Sequence, residues 1–282
     1  MSGRLKLLDL FSGIGGFSLG LERTGGFETV AFCEIDPFCR RVLAKHWPEV
    51  PCYDDITTLT GERLAADGIT VDAICGGFPC QDLSIAGKGA GLEGERSGLW
   101  FDYARILGDV RPRIAIVENV SALLSRGIDV VLGSLAALGY RVEWHCIPAS
   151  AIGAPHERDR VWIVAHRDDG QRIEPIREIQ TGRNAIGAGR KALADSDEGN
   201  VFRWNGPLQM GRLPIAREIE DDGYATRAQW GTEPGMGRVA YGVSNRVDRV
   251  GALGNAVVPQ IPELIGRAIL AATPLNDGEG LS

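Results

Sequence analysis

Long apolar runs, paired-cysteine motifs and an excess of positive charge are all missing from this chain of 282 residues. Without a stretch of about 18 apolar residues, no membrane-spanning helix is expected. No charged leader precedes an apolar segment at the N-terminus, so no secretory signal is expected either and the cytosol is the expected compartment. The six cysteines (33, 39, 52, 75, 80 and 146) include no Cys-x-x-Cys spacing. They read as reduced thiols, with neither disulfides nor a bound metal expected. Internal repeats and low-complexity tracts are also missing. The formal net charge is −7, which taken whole argues against a polyanionic partner. Its distribution says more: Gln171 to Arg249 holds 12 Lys+Arg against 11 Asp+Glu, and eleven of those twelve cations are arginines. The acidity therefore lies elsewhere, and the arginine-bearing segment carries the side chain suited to bidentate contact with phosphates and guanine edges.

What is present is an ordinary globular composition, 44% hydrophobic and 24% charged, in a chain long enough for one large domain or a large and a small one. Leu5 to Leu10 reads as a first strand. The glycine-rich turn Phe11-Ser12-Gly13-Ile14-Gly15-Gly16 follows it and opens the helical pattern Phe17, Leu19, Leu21. Adjacent glycines set this turn apart from the dinucleotide fingerprint Gly-x-Gly-x-x-Gly and so disfavour a nicotinamide oxidoreductase. A second strand, Thr29 to Cys33, ends at Glu34. An acid at that offset is where nucleoside-binding sheets hold a ribose hydroxyl pair. Asp36 and Pro37 supply an N-cap and a first helical residue for a helix through Lys45, and Asp54-Asp55-Ile56 is expected at another strand tip.

The stretch that organises the chain is Gly76-Gly77-Phe78-Pro79-Cys80-Gln81 at the end of the apolar run Val71 to Cys75. Glycines that can adopt unusual backbone angles and a proline of fixed φ would present the Cys80 thiol on a stiff turn, as a nucleophile needs. The small-residue loop Gln81 to Gly91 is the expected lid. Ser97 is expected to cap a helix from Gly98 to Val110. The strand Arg113 to Val117 leads into Glu118-Asn119-Val120, which sets a carboxylate at the carboxyl end of a buried strand, over the crevice where such sheets bind ligands. A helix through Val131, Leu135 and Leu138 and the strand Tyr140 to Ile147 come next. Arg158 and Arg160, two apart at the entry to the strand Val161 to Ala165, are expected to project to one face and suit an anion. Strand–helix alternation predicts an α/β fold, a Rossmann-like, mostly parallel sheet with helices on both faces. The expected organisation is residues 1–166 as a catalytic domain, 167–245 as a small target-recognition region, and 246–282 as a segment returning to the first domain through Gly254-Asn255-Ala256-Val257 and an amphipathic helix.

Taken together, five motifs in order resemble the cytosine-5 DNA methyltransferase family: the turn Phe11–Gly16, the turn Gly77–Gln81, Glu118–Val120, Arg158-Asp159-Arg160, and Gly254–Val257. The resemblance implies that Cys80 adds to C6 of cytosine, that Glu118 hydrogen-bonds ring N3 and the exocyclic amine, and that Arg158 and Arg160 steady the carbonyl oxygen and nearby phosphates. It implies S-adenosylmethionine as cofactor, with Phe11, Gly13, Ile14, Gly15, Gly16, Glu34, Ile35, Asp55, Ile56, Pro79, Leu99, Asn255 and Val257 in its pocket. The implied partner is double-stranded DNA bound by a monomer, in the nucleoid of a bacterial or phage-infected cell, with the target base swung out of the stack. The recognition region of about 70 residues implies few base contacts and a short target. An RNA cytosine-5 methyltransferase and a catalytically silent DNA-binding relative stay open as alternatives.

Overall fold

Alternating burial along the first strand decides the layering. In β1 (Leu5–Leu10), Leu8 and Leu10 join one buried cluster while Leu5 and Leu7 join another, as expected of successive side chains pointing to opposite faces. A sheet buried on both faces needs helices on both. That arrangement is found in the computed structural model, which describes residues 3–79, 98–154, 156–167, 252 and 254–272.

In chain order, β1 is followed by α1 (Gly16–Arg23), β2 (Phe27–Cys33), α2 (Pro37–His46), β3 (Cys52–Tyr53), α3 (Gly61–Ala66), β4 (Ala73–Gly76) and α4 (Gly98–Val110). Then come β5 (Ile114–Val120), α5 (Leu123–Arg126), α6 (Ile128–Ala137), β6 (Tyr140–Pro148), a short 3-10 turn (Ala149–Ile152), β7 (Asp159–Arg167) and α7 (Gln260–Ala272). The seven strands lie in the order β3-β2-β1-β4-β5-β7-β6. β1 to β5 are parallel, and β7 runs antiparallel to both β5 and β6. The chain winds outward from β1 in one direction and from β4 in the other. The crevice beyond the carboxyl ends of these two strands is therefore the topological switch point where such sheets bind ligands.

Each face has its own cover. Leu8, Leu10, Ile74, Ala115 and Val117 meet Trp100, Tyr103, Ile106 and Leu107 of α4 and Val131 and Leu135 of α6. On the other face Leu7, Phe27, Cys75 and Ile116 meet Phe17 and Leu21 of α1 and Ile261, Ile265 and Ile269 of α7. Those three isoleucines, four residues apart, form the apolar stripe of α7, and burying each contributes on the order of 1.5–3 kcal/mol. The return of α7 to the first domain rests on small residues. A methyl at Gly20 would fall 2.1 Å from the Pro259 carbonyl oxygen, and one at Gly266 would fall 2.9 Å from Leu21.

Most elements fall where the sequence predicts them, with differences mainly at their ends. β5 runs through Glu118 and Asn119 to Val120, because β7 pairs with it along that length. β4 begins at Ala73, two residues late, since Asp72 accepts the Lys6 amide and leaves the ladder to close beyond it. The helix expected through Val131, Leu135 and Leu138 is α6, with Leu138 as its C-cap, and a separate short helix that no expectation covers, α5, precedes it and ends at Gly127 (φ 151°). β7 extends to Asp159 and Arg167, pairing with β6 along its whole length. The loop 81–91, the Ser97 cap and nearly all of the recognition region fall outside the described residues. Among the described residues no helix is long and apolar enough to cross a membrane, and no group of three or more His, Cys, Asp or Glu could hold a metal ion.

Candidate active site

The turn after β1 is fixed from below. Buried Asp9 accepts the Ser18 hydroxyl at 2.7 Å and the Ser18 amide at 3.3 Å, tying the strand to the first turn of α1. Ser12 donates to the carbonyls of Asp9 (2.5 Å) and Cys33 (3.3 Å). Burial pushes the Asp9 carboxyl up to about 7, against the opposing effect of its bonds from Ser18 and Cys75. Phe11 takes a left-handed backbone (φ 52°), a costly conformation for a non-glycine residue that the surrounding bonds hold in place.

The three glycines of this turn have different reasons to be glycine. Gly13 (φ 54°) has open space where a side chain would stand. At Gly15 (φ 85°) that space belongs to the Trp47 ring, which a methyl would approach to 2.6 Å, and at Gly16 it belongs to the Val257 carbonyl, also at 2.6 Å. The left-handed backbone favours glycine at Gly13, which leaves open space beside it, whereas packing within the protein adds a steric demand at the other two. Trp47, which no sequence motif flags, is held by its indole N–H donating to Glu22 at 3.0 Å and by edge contact with Phe32. Ile14 lies half-buried in the same turn.

Glu34 stands at the tip of β2, opposite this turn. One carboxylate oxygen accepts the Gly13 amide at 2.7 Å and the other accepts the Asp36 amide at 2.7 Å. The acid therefore joins the strand tip to the glycine turn and keeps lone pairs for further donors. Ile35 beside it is 73% exposed, an unusual position for so apolar a side chain. Asp36 caps α2 as the sequence predicts, accepting from Phe38 and Cys39. Beyond β3, Asp55 accepts the Thr57 hydroxyl and amide, which lower its pKa. Ile56 is buried, and its carbonyl accepts Arg105 of α4 at 2.8 Å, while the same guanidinium reaches the Leu59 carbonyl at 2.7 Å. Arg105 is a second residue the motifs miss. Its role shows only when α4 is seen to pass this loop.

At the end of β4, neither Gly76 nor Gly77 has positive φ, so the expectation of unusual backbone angles is corrected: the demand is steric. A methyl at Gly76 would lie 2.4 Å from the Leu10 carbonyl on β1, and one at Gly77 would lie 2.6 Å from Oε2 of Glu118. Phe78 is buried against Trp100, Leu99 packs on the same cluster, and Pro79 is exposed. Asn119 donates to the Phe78 carbonyl at 3.1 Å and accepts the Val120 amide at 2.8 Å, clamping the turn that runs on in sequence to Cys80. Cys80 itself is outside the described residues.

Register explains the acid's partner. Glu118 faces Trp162 across the β5–β7 ladder, and Arg160 is the diagonal neighbour on the same face. Its Nε lies 2.9 Å from Oε1 of Glu118. Burial raises the Glu118 pKa, while the charges of Arg160 and Arg158 pull it down. Arg158 is differently placed from the sequence expectation. It precedes β7 with φ 40°, and its terminal nitrogens donate to the carbonyls of Gly254 (2.7 Å) and Ala256 (2.9 Å). The two arginines thus do not share one partner: Arg160 pairs with the acid and Arg158 binds the final motif, where Asn255 is exposed and Val257 half-buried. Alternation along a strand fails here because Arg158 is not in the strand.

A sequence model of the C-5 cytosine-specific DNA methylases matches residues 5–200, well over half of the chain. The chain belongs to that family. It is 38% identical over 170 residues to the Type II methyltransferase M.DsaV of Dactylococcopsis salina, covering 58% of this chain and 46% of the relative. It is 36% identical over 169 residues to the Type II methyltransferase M.HhaI of Haemophilus parahaemolyticus, covering 58% and 50%. The chain spans about half the length of the curated relatives it matches. Its fold is also that of the Entamoeba histolytica methyltransferase EhMeth, with a TM-score of 0.61 at 16% identity, over 95% of this chain and 98% of that one. Apart from Cys80, four of the five motifs of this C-5 cytosine methylase lie at or near strand ends on one side of the sheet, and the fifth, Gly254–Val257, precedes α7 and is held by Arg158.

Proposed function

We propose that this chain is a DNA (cytosine-5-)-methyltransferase that moves a methyl group from S-adenosylmethionine to C5 of a cytosine swung out of duplex DNA. The carrying observation is the half-buried Glu118–Arg160 pair against Gly77, three residues before Cys80. A carboxyl whose pKa is raised by burial, with a guanidinium at 2.9 Å, suits a group that must donate a proton to a ring nitrogen and then take it back. The open space at Gly13, the carboxylate of Glu34 and the exposed Ile35 fit an adenosine bearing a charged tail. In this reading Phe11, Gly13 to Gly16, Glu34, Ile35, Asp55, Ile56, Pro79, Leu99, Asn255 and Val257 hold the cofactor. When bound, S-adenosylmethionine supplies a methyl group on a positively charged sulfur.

The chain's own residues then divide the work. The Cys80 thiolate adds to C6, which places electron density on C5. Glu118 donates to N3 as the ring gains charge, and Arg160 holds the carboxyl in place and stabilises the adduct. Once C5 carries the transferred methyl group, its proton passes to solvent, N3 returns its proton to Glu118, and departure of the Cys80 sulfur as thiolate restores the ring. Residues 1–166 carry this chemistry, 167–245 read a short duplex sequence with arginines, and 246–282 complete the cofactor wall. The protein acts as a monomer on DNA in the cytoplasm, and the Type II names of its relatives support a restriction-modification setting. The test is tritium transfer from labelled cofactor to duplex DNA and to transfer RNA. Label in DNA, lost on Cys80→Ser, is expected. Label in RNA alone, or none in either, refutes the reading.

A further inference from the structure

The family resemblance implies one joint role for Arg158 and Arg160, on the reacting base. The geometry divides them. Arg160 pairs directly with Glu118, at 2.9 Å, and Arg158 acts on that carboxyl through its charge. The two terminal nitrogens of Arg158 are taken by backbone carbonyls 96 and 98 residues further on, at Gly254 and Ala256. Next along the chain, the Val257 carbonyl stands where a Gly16 side chain would be, and Val257 and Val258 pack beside Phe17 and Trp162. Gly16 is the first residue of α1, directly after the turn that ties to Glu34 through Gly13. One guanidinium thereby gathers two successive carbonyls of the final motif and seats the following residue on the glycine turn. Arg158 adopts φ 40° to do this, a backbone conformation that side-chain-bearing residues rarely hold without compensation.

We infer that Arg158 is a positioning residue that latches residues 254–257 onto the glycine turn, so that it sets cofactor affinity, while Arg160 is the arginine that pairs with the Glu118 carboxyl and serves the base. The inference rests on the cofactor assignment above. It makes the two arginines of one motif separable by measurement. Lysine in place of Arg158 keeps the charge but offers a point donor that cannot span both carbonyls as the planar fork does.

The experiment compares Arg158→Lys and Arg160→Lys in the full chain by two readouts. The first is equilibrium binding of S-adenosylhomocysteine without DNA. The second is the rate of covalent trapping on a duplex bearing 5-fluorocytosine at saturating cofactor. For Arg158→Lys, affinity falls by about tenfold, as expected for losing one charge-assisted hydrogen bond, and trapping at saturation stays within about threefold of wild type. For Arg160→Lys the pattern reverses. A Gly16→Ala variant, which pushes the Val257 carbonyl away from the opposite side, weakens binding in the same manner and adds little to Arg158→Lys when the two are combined. Unchanged affinity in Arg158→Lys with slowed trapping at saturation overturns the inference, and so does full additivity with Gly16→Ala. Failure of the wild type to trap at all would instead strike the proposed reaction, and the affinity comparison would still read the latch.

Discussion

Replacing Gly77 by alanine separates catalysis from folding. The new methyl would lie 2.6 Å from Oε2 of Glu118, whereas ordinary contact begins at 3.4 Å, so the carboxylate must retreat by about 0.8 Å. The backbone does not resist, because Gly77 lacks the positive φ that strains alanine. Removing glycine's freedom from the unfolded chain gains about 0.4–1 kcal/mol, against roughly 1–3 kcal/mol for overpacking. The net loss stays below about 3 kcal/mol, and the variant folds. A displacement of that size in a reacting group costs on the order of 100-fold in rate. The assay is single-turnover trapping on a 5-fluorocytosine duplex at saturating cofactor, with cofactor affinity measured alongside. A trapping rate near one-hundredth of wild type with unchanged affinity is expected, since the turn at Gly13 is not touched. Trapping within twofold of wild type in a folded variant would refute the placement of Glu118 in the reaction.

Other positions make different demands. Asn119→Asp removes the donor to the buried Phe78 carbonyl and sets an oxygen against it. A loss of about 1–3 kcal/mol in urea unfolding is expected, with slower trapping and unchanged cofactor affinity. Asp9 carries a pH signature. Its folded value of about 7 lies above the ordinary unfolded value of about 3.9, so between those limits the folded chain holds a proton that the unfolded chain has released. Its contribution to stability is full at low pH and is lost as pH rises towards 7. Relative to Asp9→Asn, wild-type unfolding free energy should therefore decline by up to about 1.4 kcal/mol per pH unit across that window. Parallel pH profiles for the two proteins would contradict this.

How much the sequence reveals depends on how local the cause is. β1, α2's cap at Asp36 and the span of α4 are legible because apolar period, capping residue and helix length lie within a dozen residues. The glycine turn is legible for the same reason, since it follows β1 directly, whereas Glu118 lies inside β5, which runs two residues beyond it. The partners of these residues are set by register and by returns of the chain over tens of residues. The Glu118–Arg160 pair follows from β7 running antiparallel beside β5, and Arg158 binds carbonyls that only the return of α7 brings within reach. Trp47 over Gly15, Arg105 under Ile56 and Asn119 on Phe78 have no motif to mark them. Their function is to hold other residues, and that appears only when the third dimension is known. The glycines at 76 and 77 carry the same lesson in reverse: the residue type is readable, but its reason is a neighbouring strand.

The central claim, that the thiol of Cys80 bonds transiently to a cytosine in DNA, is tested most directly by mass spectrometry. The full chain is incubated with S-adenosylmethionine and a 5-fluorocytosine duplex carrying its target sequence, denatured and digested. The expected result is a nucleotide adduct on the peptide containing Cys80, lost on Cys80→Ser. Methylation of ordinary duplex DNA by Cys80→Ser at the wild-type rate, with no adduct on that peptide in either protein, would contradict the claim.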